Sequence, residues 1–335
     1  MKPMVFITQW MPNEGVEVLK RHCQVIMNEG MQPLPKRELI RQAKDAHALL
    51  FFVSDHIDAE VIEGCPNLKV VASFGKGYDN LDLNACTRRN ICATINPYSL
   101  TDSTADLALA LMLALCRNLL PGDRFIRSGN FRGWEPRLLL GHEFHHKNLG
   151  IIGMGAIGQA IARRAVGFNV RILYYDLLPR PAVEAELGAT FCTKEQLLSQ
   201  SDFVVLCVDL RPENYHLIGA GDLQKIKRGS YLINVGRGSL VDEQAVVQAL
   251  EDGVLGGYAA DVFEMEDFIS PDRPTEITPG LIRLKDKTAL TPHIGTGTWE
   301  ARRKLAVATA EQILKALHGE KPPGALNDVV LQPLL

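Results

Sequence analysis

The segment from residue 149 to residue 176 constrains the fold of this 335-residue chain more than any other. An apolar stretch, LGII, leads into G-x-G-x-x-G at Gly153, Gly155 and Gly158, and a helix-like run, AIGQAIARRAVG, follows. The next apolar stretch, VRILYYD, ends in Asp176. This order predicts a β-α-β unit whose helix N-terminus binds the diphosphate of a dinucleotide, with Asp176 accepting the ribose hydroxyls of NAD.

The three glycines have separate parts in that prediction. We expect Gly153 to make the tight turn and Gly155 to let the backbone approach the pyrophosphate. Gly158 lets the helix pack closely on the strand. A lone glycine motif is weak evidence, but the strand, helix, second strand and terminal acid together form a specific pattern.

A competing motif ends seven residues before the first of these glycines. His142 to His146 read H-E-x-x-H, the pattern of zinc proteases, which requires a helix so that both imidazoles reach one metal ion. Gly141 precedes the motif, the polar residues Lys147 and Asn148 follow it, and a strand starts at once. We therefore predict a polar loop here and no metal site.

Alternating apolar and amphipathic stretches run through the rest of the chain and predict two doubly wound α/β domains. The first series spans MVFITQW to LKVVASF and pauses at INPYSLTDSTAD, where we place a domain boundary. The second series spans LGIIGMG to TALTPHI. A long helix follows, with Gly319 as its stop signal, and we expect it to return the chain to the first domain.

The composition is that of an ordinary globular protein and suggests no nucleic-acid or membrane partner. Lys plus Arg number 36 against 39 Asp plus Glu, and hydrophobic residues make up 46%. The apolar run at 107–116 is well short of the roughly 20 residues that cross a bilayer, so it predicts a buried helix. Because that helix is apolar on every side, a second domain or a second copy must cover it, which favours a homodimer.

The N-terminus and the cysteines predict a cytoplasmic protein with reduced thiols. MKPMVFITQW leads into a strand and lacks the apolar region and cleavage site of a secretory signal. The seven cysteines include no C-x-x-C pair, so we expect neither a metal cluster nor a redox couple.

Ionisable residues follow three strands of the second domain, at the sheet edge where α/β proteins bind ligands. Arg237 follows one strand, the acids Asp261, Glu264, Glu266 and Asp267 follow the next, and His293 follows the last. Singly, each has an ordinary alternative, namely a solvated arginine in a turn, an acidic loop, and a histidine bonded to a backbone carbonyl. Together they supply a base in His293, a carboxylate such as Glu266 to orient it, and the planar cation of Arg237 for an anionic substrate.

The order GMGAIG, Asp176, GRGSLVDE (236–243), Glu266 and PHIG (292–295) resembles the D-2-hydroxyacid dehydrogenase family over nearly the whole chain. The resemblance implies a discontinuous flavodoxin-like substrate domain, residues 1–99 and 300–335, with a dinucleotide-binding domain inserted at 100–299. It also implies NAD as cofactor, a homodimer, and catalytic roles for Arg237, Glu266 and His293.

The same resemblance implies a set of residues that contact NAD. They are Thr104, Gly153, Gly155, Ala156, Ile157, Gly158, Asp176, Val208, Pro212, Val235, Gly236, Arg237, Asp261, His293 and Gly295.

Within that family, GKGYDN, RSGNFRGWEP and GYAADVFEMED are most similar to the phosphite-oxidising members. This implies a small anionic substrate held by Arg237 together with Lys76, Gly77, Trp134 and Arg302, and NAD-dependent oxidation of phosphite to phosphate. The second cation suits an anion with two charges and three oxygens.

Two departures keep other substrates open. Val53 stands where the phosphite-oxidising members carry Met, and the aromatic residue usual after the Trp-x-Pro turn is replaced within RLLLG. In addition, TDSTADLALALMLALCR is more similar to the glyoxylate and hydroxypyruvate reductases. The alternative is therefore a reductase of a 2-oxo acid, including a phosphonate such as phosphonopyruvate. A non-enzymatic NAD-sensing co-repressor is the third possibility, and the complete set of Arg237, Glu266 and His293 argues against it.

Overall fold

The computed structural model describes residues 2–30, 32–97, 100–270 and 272–335. The chain divides into two compact units, one formed by Met1–Leu100 with Thr296–Leu335 and the other by Thr101–Gly295. The first boundary predicted from the sequence falls at Ser99, which lies outside the described residues. The second division falls between Gly295 and Thr296, close to the boundary between residues 299 and 300 that the sequence predicted.

The first unit contains a five-stranded parallel sheet in the order β2-β1-β3-β4-β5, which is the flavodoxin-like order. Its strands are β1 (Met4–Ile7), β2 (Gln24–Met27), β3 (Ala48–Phe51), β4 (Val70–Ser73) and β5 (Cys92–Thr94). Its helices are α1 (Asn13–Lys20), α2 (Lys36–Ala43), α3 (Ala59–Gly64), α4 (Leu83–Arg88) and α13 (Trp299–Leu317). Strands β3 and β4 are buried throughout, as expected when helices cover both faces of a parallel sheet.

Helix α13 returns the chain to the first unit, as the sequence predicted. It packs against α1 so closely that a Cβ on Gly15 would lie 2.4 Å from the carbonyl oxygen of Ala306. The helix ends at Leu317, and Gly319 follows with φ of +81°, the left-handed conformation typical of a helix stop.

The second unit contains a seven-stranded parallel sheet in the order β12-β11-β10-β9-β6-β7-β8. Its strands are β6 (Asn148–Ile152), β7 (Arg171–Tyr175), β8 (Thr190–Phe191), β9 (Phe203–Leu206), β10 (Ser230–Asn234), β11 (Leu255–Ala260) and β12 (Thr288–Leu290). Its helices are α5 (Thr101–Cys116), α6 (Leu119–Arg127), α7 (Ala156–Ala165), α8 (Pro181–Leu187), α9 (Lys194–Gln200), α10 (Ala220–Leu223), α11 (Glu243–Glu251) and α12 (Pro279–Arg283). The prediction of two doubly wound α/β domains is confirmed.

Helix α5 forms part of the core of the second unit, as its composition predicted. Ala105, Ala108 and Met112 are fully buried. Among the described residues, no single helix is long and apolar enough to span a membrane. The pair α5 and α6 meets that test only when counted together, and the two helices are bent by 64° at their junction.

All seven cysteines are free thiols, and five of them are buried. Burial raises the pKa of Cys23 and Cys65 to about 11 and that of Cys86 to about 12. These thiols pack as small apolar side chains, in keeping with the sequence interpretation.

Candidate active site

The glycine turn between β6 and α7 has the shape that a diphosphate requires. Gly153 has φ of +95°, and a Cβ there would lie 2.6 Å from Val208 Cγ1. A Cβ on Gly158 would lie 2.1 Å from the carbonyl oxygen of Gly153, so α7 packs directly on the turn. By contrast, a Cβ on Gly155 would meet no atom within 4 Å, because this glycine faces open space.

The N-terminus of α7 completes this cradle. Its N-cap is Gly155, and no side chain caps the first N–H groups, which belong to Ala156, Ile157 and Gly158. Uncapped N–H groups at a helix N-terminus bind an anion well. The residues present therefore fit the diphosphate of NAD.

Asp176 follows β7 directly and is fixed by its neighbours. Its carboxylate accepts hydrogen bonds from Leu177 N at 2.7 Å and Met154 N at 3.2 Å. Arg180 forms an ion pair with it at 3.3 Å. The side chain retains 15% exposure, so it is accessible to ribose hydroxyls while a guanidinium lies beside it.

Several of the other residues predicted to contact NAD lie around the same sheet edge. Val208 and Pro212 follow β9, and Val235 and Gly236 follow β10. A Cβ on Gly236 would lie 2.9 Å from Val208 O, so these two turns touch. Thr104 on α5 lies beside the last loop, since its Oγ1 would be 3.2 Å from a Cβ on Gly295.

His293 and Glu266 form a close pair. His293 Nδ1 lies 2.6 Å from Glu266 Oε2, and the other carboxylate oxygen accepts a hydrogen bond from Phe263 N at 2.8 Å. An ionised carboxylate only accepts hydrogen bonds, so Nδ1 carries the proton and Nε2 is left to exchange a proton with a ligand. The side chains are 29% and 26% exposed.

The backbone of His293 is in an uncommon conformation that Asp261 supports. Its φ is +53°, in the left-handed region, and its N–H donates to Asp261 O at 2.8 Å. The Asp261 carboxylate accepts from Thr291 Oγ1 at 2.6 Å, Ile294 N at 2.8 Å and Gly295 N at 2.7 Å. Asp261 therefore holds the loop that presents the imidazole.

Arg237 lies at the end of the neighbouring strand, β10. Asn234 shapes the turn that carries it, since its side chain donates to Arg237 O at 2.7 Å and accepts from Gly236 N at 3.1 Å. The guanidinium is half-buried and donates from Nη1 to Gly236 O at 3.1 Å. The carboxyl ends of β10, β11 and β12 thus carry the cation, the acid and the imidazole on adjacent strands.

Lys76 and Gly77 belong to the first unit, in the loop after β4. The carbonyl of Gly77 accepts a hydrogen bond from Ser73 Oγ at 3.0 Å, and Asn96 N donates to Gly75 O at 2.7 Å. Lys76 is exposed, and its ammonium makes no hydrogen bond or ion pair with the residues described. A fixed backbone therefore presents a lysine that is available to a ligand.

Arg302 lies on α13, in the same unit as Lys76. Its guanidinium lies 6.0 Å from the ring centroid of Phe74, which in turn packs 4.6 Å from the ring of Phe52. Burial lowers the pKa of Arg302, and within the described part of the chain its side chain has no carboxylate partner. A desolvated cation of this kind is suited to an anionic ligand.

Two remaining predictions concern residues 128–147. Trp134 is 84% exposed on the surface of the second unit. The H-E-x-x-H segment is a loop and turn, not a helix, and His145 Nε2 lies 3.4 Å from Glu143 Oε1. The helical geometry that the zinc pattern requires is therefore missing from this segment.

The sequence interpretation missed the residues that fix the loops. Asp261 was expected to contact the cofactor, and its support of the histidine loop through both carboxylate oxygens is a further role that was not predicted. Asn234 and Glu243 were not singled out. Asn234 offered a signal, because this amide closes the apolar run YLIN and, at 0% exposed, needs partners there.

The comparisons with known proteins agree on one family. Residues 109–295 match the model of the D-isomer specific 2-hydroxyacid dehydrogenase family, NAD binding domain. A protein named glyoxylate reductase from Pyrococcus horikoshii is 43% identical over 99% of this chain and 98% of its own length.

Solved structures agree with that match. The TT0316 protein of Thermus thermophilus superimposes with a TM-score of 0.87 at 37% identity, covering 97% of this chain and 100% of its own. A D-lactate dehydrogenase from Aquifex aeolicus, solved with NAD and lactic acid, gives 0.82 at 28% identity, covering 95% and 96%. The prediction of NAD as cofactor is confirmed. The relatives' names give no support to phosphite oxidation and fit the alternative, a glyoxylate reductase.

Proposed function

Because the chain belongs to the D-isomer specific 2-hydroxyacid dehydrogenase family, we propose that this NAD-dependent dehydrogenase reduces a small 2-oxo acid, with glyoxylate as the first candidate. The observation that carries the proposal is the 2.6 Å pair of His293 Nδ1 and Glu266 Oε2, in which Glu266 follows the strand next to β10, the strand that Arg237 follows. The resemblance to proteins named glyoxylate reductase supports the substrate.

When bound, NAD exchanges a hydride with the substrate. The chain's own residues then have three tasks. His293 donates a proton from Nε2 to the carbonyl oxygen during reduction, or takes it back from the hydroxyl during oxidation. Glu266 stabilises the protonated imidazole and fixes its orientation. Arg237 binds the substrate carboxylate through its planar fork of N–H donors.

Phosphite oxidation is our second candidate, and one observation favours it. Lys76 and Arg302 are two cations of one unit, and neither has a carboxylate partner in the described ranges. A carboxylate is matched by one arginine, whereas phosphite offers two charges and three oxygens. In that reaction water attacks phosphorus and gives up a proton to His293, the P–H hydride leaves to NAD, and phosphate is the product.

A substrate panel tests the proposal directly. The purified protein is assayed for NADH oxidation with glyoxylate, hydroxypyruvate and phosphonopyruvate, and for NAD reduction with phosphite. We expect the highest kcat/KM with glyoxylate. A higher kcat/KM for phosphite would replace the first candidate by the second. Tight NADH binding without turnover of any of the four would favour the co-repressor alternative.

We also propose that two copies associate through the surface formed by α6 and the loop after it. Helix α6 has no buried residue, and Leu119 and Ile126 are each 55% exposed. The loop adds Phe131 and Trp134 to this apolar surface. Exposed apolar patches of this kind mark association sites. Light scattering should give twice the chain mass for the wild type and a monomer for Ile126→Glu, and a monomeric wild type would contradict the proposal.

A further inference from the structure

We infer that Glu243 and Asp267 are positioning residues that join the turn carrying Arg237 to the turn carrying Glu266. The inference rests on the proposed function, since it concerns the spacing between the anion-binding cation and the acid–base pair. Neither residue faces a ligand, because Glu243 is 1% and Asp267 is 2% exposed. Both act through the backbone of the two turns.

The first connection is a backbone contact at Gly238, the residue that follows Arg237. A Cβ on Gly238 would lie 1.9 Å from the carbonyl carbon of Phe263 and 2.2 Å from Glu264 N. Only glycine therefore allows the two main chains to meet. The arginine turn rests directly on the backbone that leads to Glu266.

The second connection is a reciprocal pair of carboxylates. Glu243 N donates to Glu264 Oε1 at 2.9 Å, and Glu264 N donates to Glu243 Oε1 at 2.9 Å. The other oxygen of Glu243 accepts from Thr278 N at 3.2 Å. Burial raises the pKa of Glu243. A carboxyl group kept in such a place needs these backbone donors.

The third connection comes from Asp267, the residue after Glu266. Its Oδ2 accepts from Ser239 N at 2.7 Å, so the acid turn is bonded to a residue two positions after Arg237. We call the set of bonds between these two turns the junction. His216 supports it, since its backbone N–H donates to Ser239 O at 2.8 Å and its Nε2 lies 3.2 Å from Glu264 Oε2.

These connections fix the geometry of the reaction. The first and third connections join backbone within two residues of Arg237 to backbone within three residues of Glu266, and the second adds Glu243, six residues after Arg237. Glu266 in turn bonds the imidazole of His293. If the junction loosened, the guanidinium of Arg237 would shift relative to the imidazole of His293. A misplacement of about 1 Å can cost roughly 100-fold in rate.

Glu243→Gln tests the inference with little change of shape. The glutamine amide has one carbonyl oxygen, so its NH₂ group must face either Glu264 N or Thr278 N, donor against donor. The matched control is Asp202→Asn, since Asp202 accepts from Asn148 N at the opposite, amino-terminal edge of the same sheet. Asp267→Ala loosens the same two turns by a different route, because it removes the acceptor of the Ser239 N–H group.

For whichever substrate the wild type turns over, we expect Glu243→Gln to lower kcat/KM about tenfold or more, while the Kd for NADH changes less than about twofold. Asp202→Asn, assayed below the Tm of both variants, should keep wild-type kcat and KM. A Glu243→Gln enzyme with the kinetics of Asp202→Asn would overturn the inference. If that variant does not fold, Asp267→Ala decides by the same comparison.

Amide hydrogen exchange separates this inference from the proposed function. Peptides covering residues 236–244 and 262–268 should both exchange faster in Glu243→Gln, and neither should in Asp202→Asn. A wild type without turnover, together with faster exchange in both peptides, would reject the function and keep the junction. Unchanged exchange in the variant would reject the junction whatever the substrate is.

Discussion

The carboxyl edges of the two sheets carry their charged residues in different ways. In the second unit, Glu266, His293 and Asp261 each have partners in the protein, at 2.6 to 2.8 Å. In the first unit, Lys76 and Arg302 have no carboxylate partner among the residues described. The first arrangement fixes geometry before any ligand binds, whereas the second leaves charge to be neutralised by a ligand. We therefore expect the two edges to respond to mutation differently.

The largest effect on activity should come from a mutation at the carboxyl edge of the second unit's sheet. His293→Ala removes the proton donor, and losing a positioned acid or base typically lowers the rate about 10² to 10⁴-fold. We expect kcat to fall by that amount while calorimetry gives a nearly unchanged Kd for NADH. His145→Ala is the matched control, because His145 also faces a carboxylate, Glu143, at 3.4 Å in an exposed loop. Turnover near the wild-type level in His293→Ala would remove this histidine from the mechanism.

The edge of the first unit should show its effect in substrate affinity. Truncating a cation that meets a desolvated anion costs about 2 to 5 kcal/mol, so Lys76→Ala should raise the substrate KM about tenfold or more and change kcat less. Steady-state kinetics with glyoxylate and with phosphite measure it. Lys69→Ala is the control, since this exposed lysine lies at the amino end of β4. An effect confined to phosphite would support the second candidate, and no effect on either substrate would make Lys76 a solvated surface residue.

A smaller effect should appear at the cofactor. Asp176 repels a 2′-phosphate, and Arg180 lies 3.3 Å from its carboxylate. We expect the wild type to prefer NAD over NADP, and Asp176→Ala to shift the ratio of kcat/KM values toward NADP by about tenfold, since like charges no longer meet and Arg180 is released. Arg180→Ala in the same assay shows how much of the cofactor preference depends on the Arg180 guanidinium. A wild type that prefers NADP would contradict the assignment of Asp176.

The smallest effect concerns stability as a function of pH. Burial raises the pKa of Glu243, so the native state binds the extra proton and this group's contribution falls as pH rises above the usual glutamate range. Burial opposes ionisation of Asp202, but hydrogen bonds from Lys227 and Asn148 N lower its pKa, so its contribution is lost as pH falls. From acid to neutral pH, the Tm advantage of wild type over Glu243→Gln should shrink, and that over Asp202→Asn should grow. Parallel trends would show that the two environments do not differ.

Much of the fold could be predicted from the sequence because its signals are local. The glycine turn depends on three residues and their flanking strand and helix, and the return of the chain was predicted from a long helix ending at Gly319. Short elements were missed, including β8 and α6. Thr190–Phe191 is too short to show a period, and Leu119–Arg127 exposes the apolar side chains that a core helix would bury.

The candidate site likewise contains residues that have a local sequence signal and residues that have none. Arg237, Glu266 and His293 could be singled out because they follow strands, and parallel strands bring their ends together. The bonds of Asp261, Asn234 and Glu243 could not be predicted, since each joins a side chain to the backbone of a loop or turn. Such contacts depend on loop conformation, which leaves no periodic trace in the sequence.

The left-handed backbone of His293 sets selection for stability against selection for turnover at one position. A non-glycine residue held at φ of +53° costs free energy, of the order of 1 to 3 kcal/mol for such conformations, and glycine there would avoid it. Glycine would also have more chain entropy to lose on folding and would give up the bond to Glu266, so the strain at position 293 is only one part of the stability balance. Whatever part of that strain is not offset is the stability that the chain gives up to present an imidazole at this point.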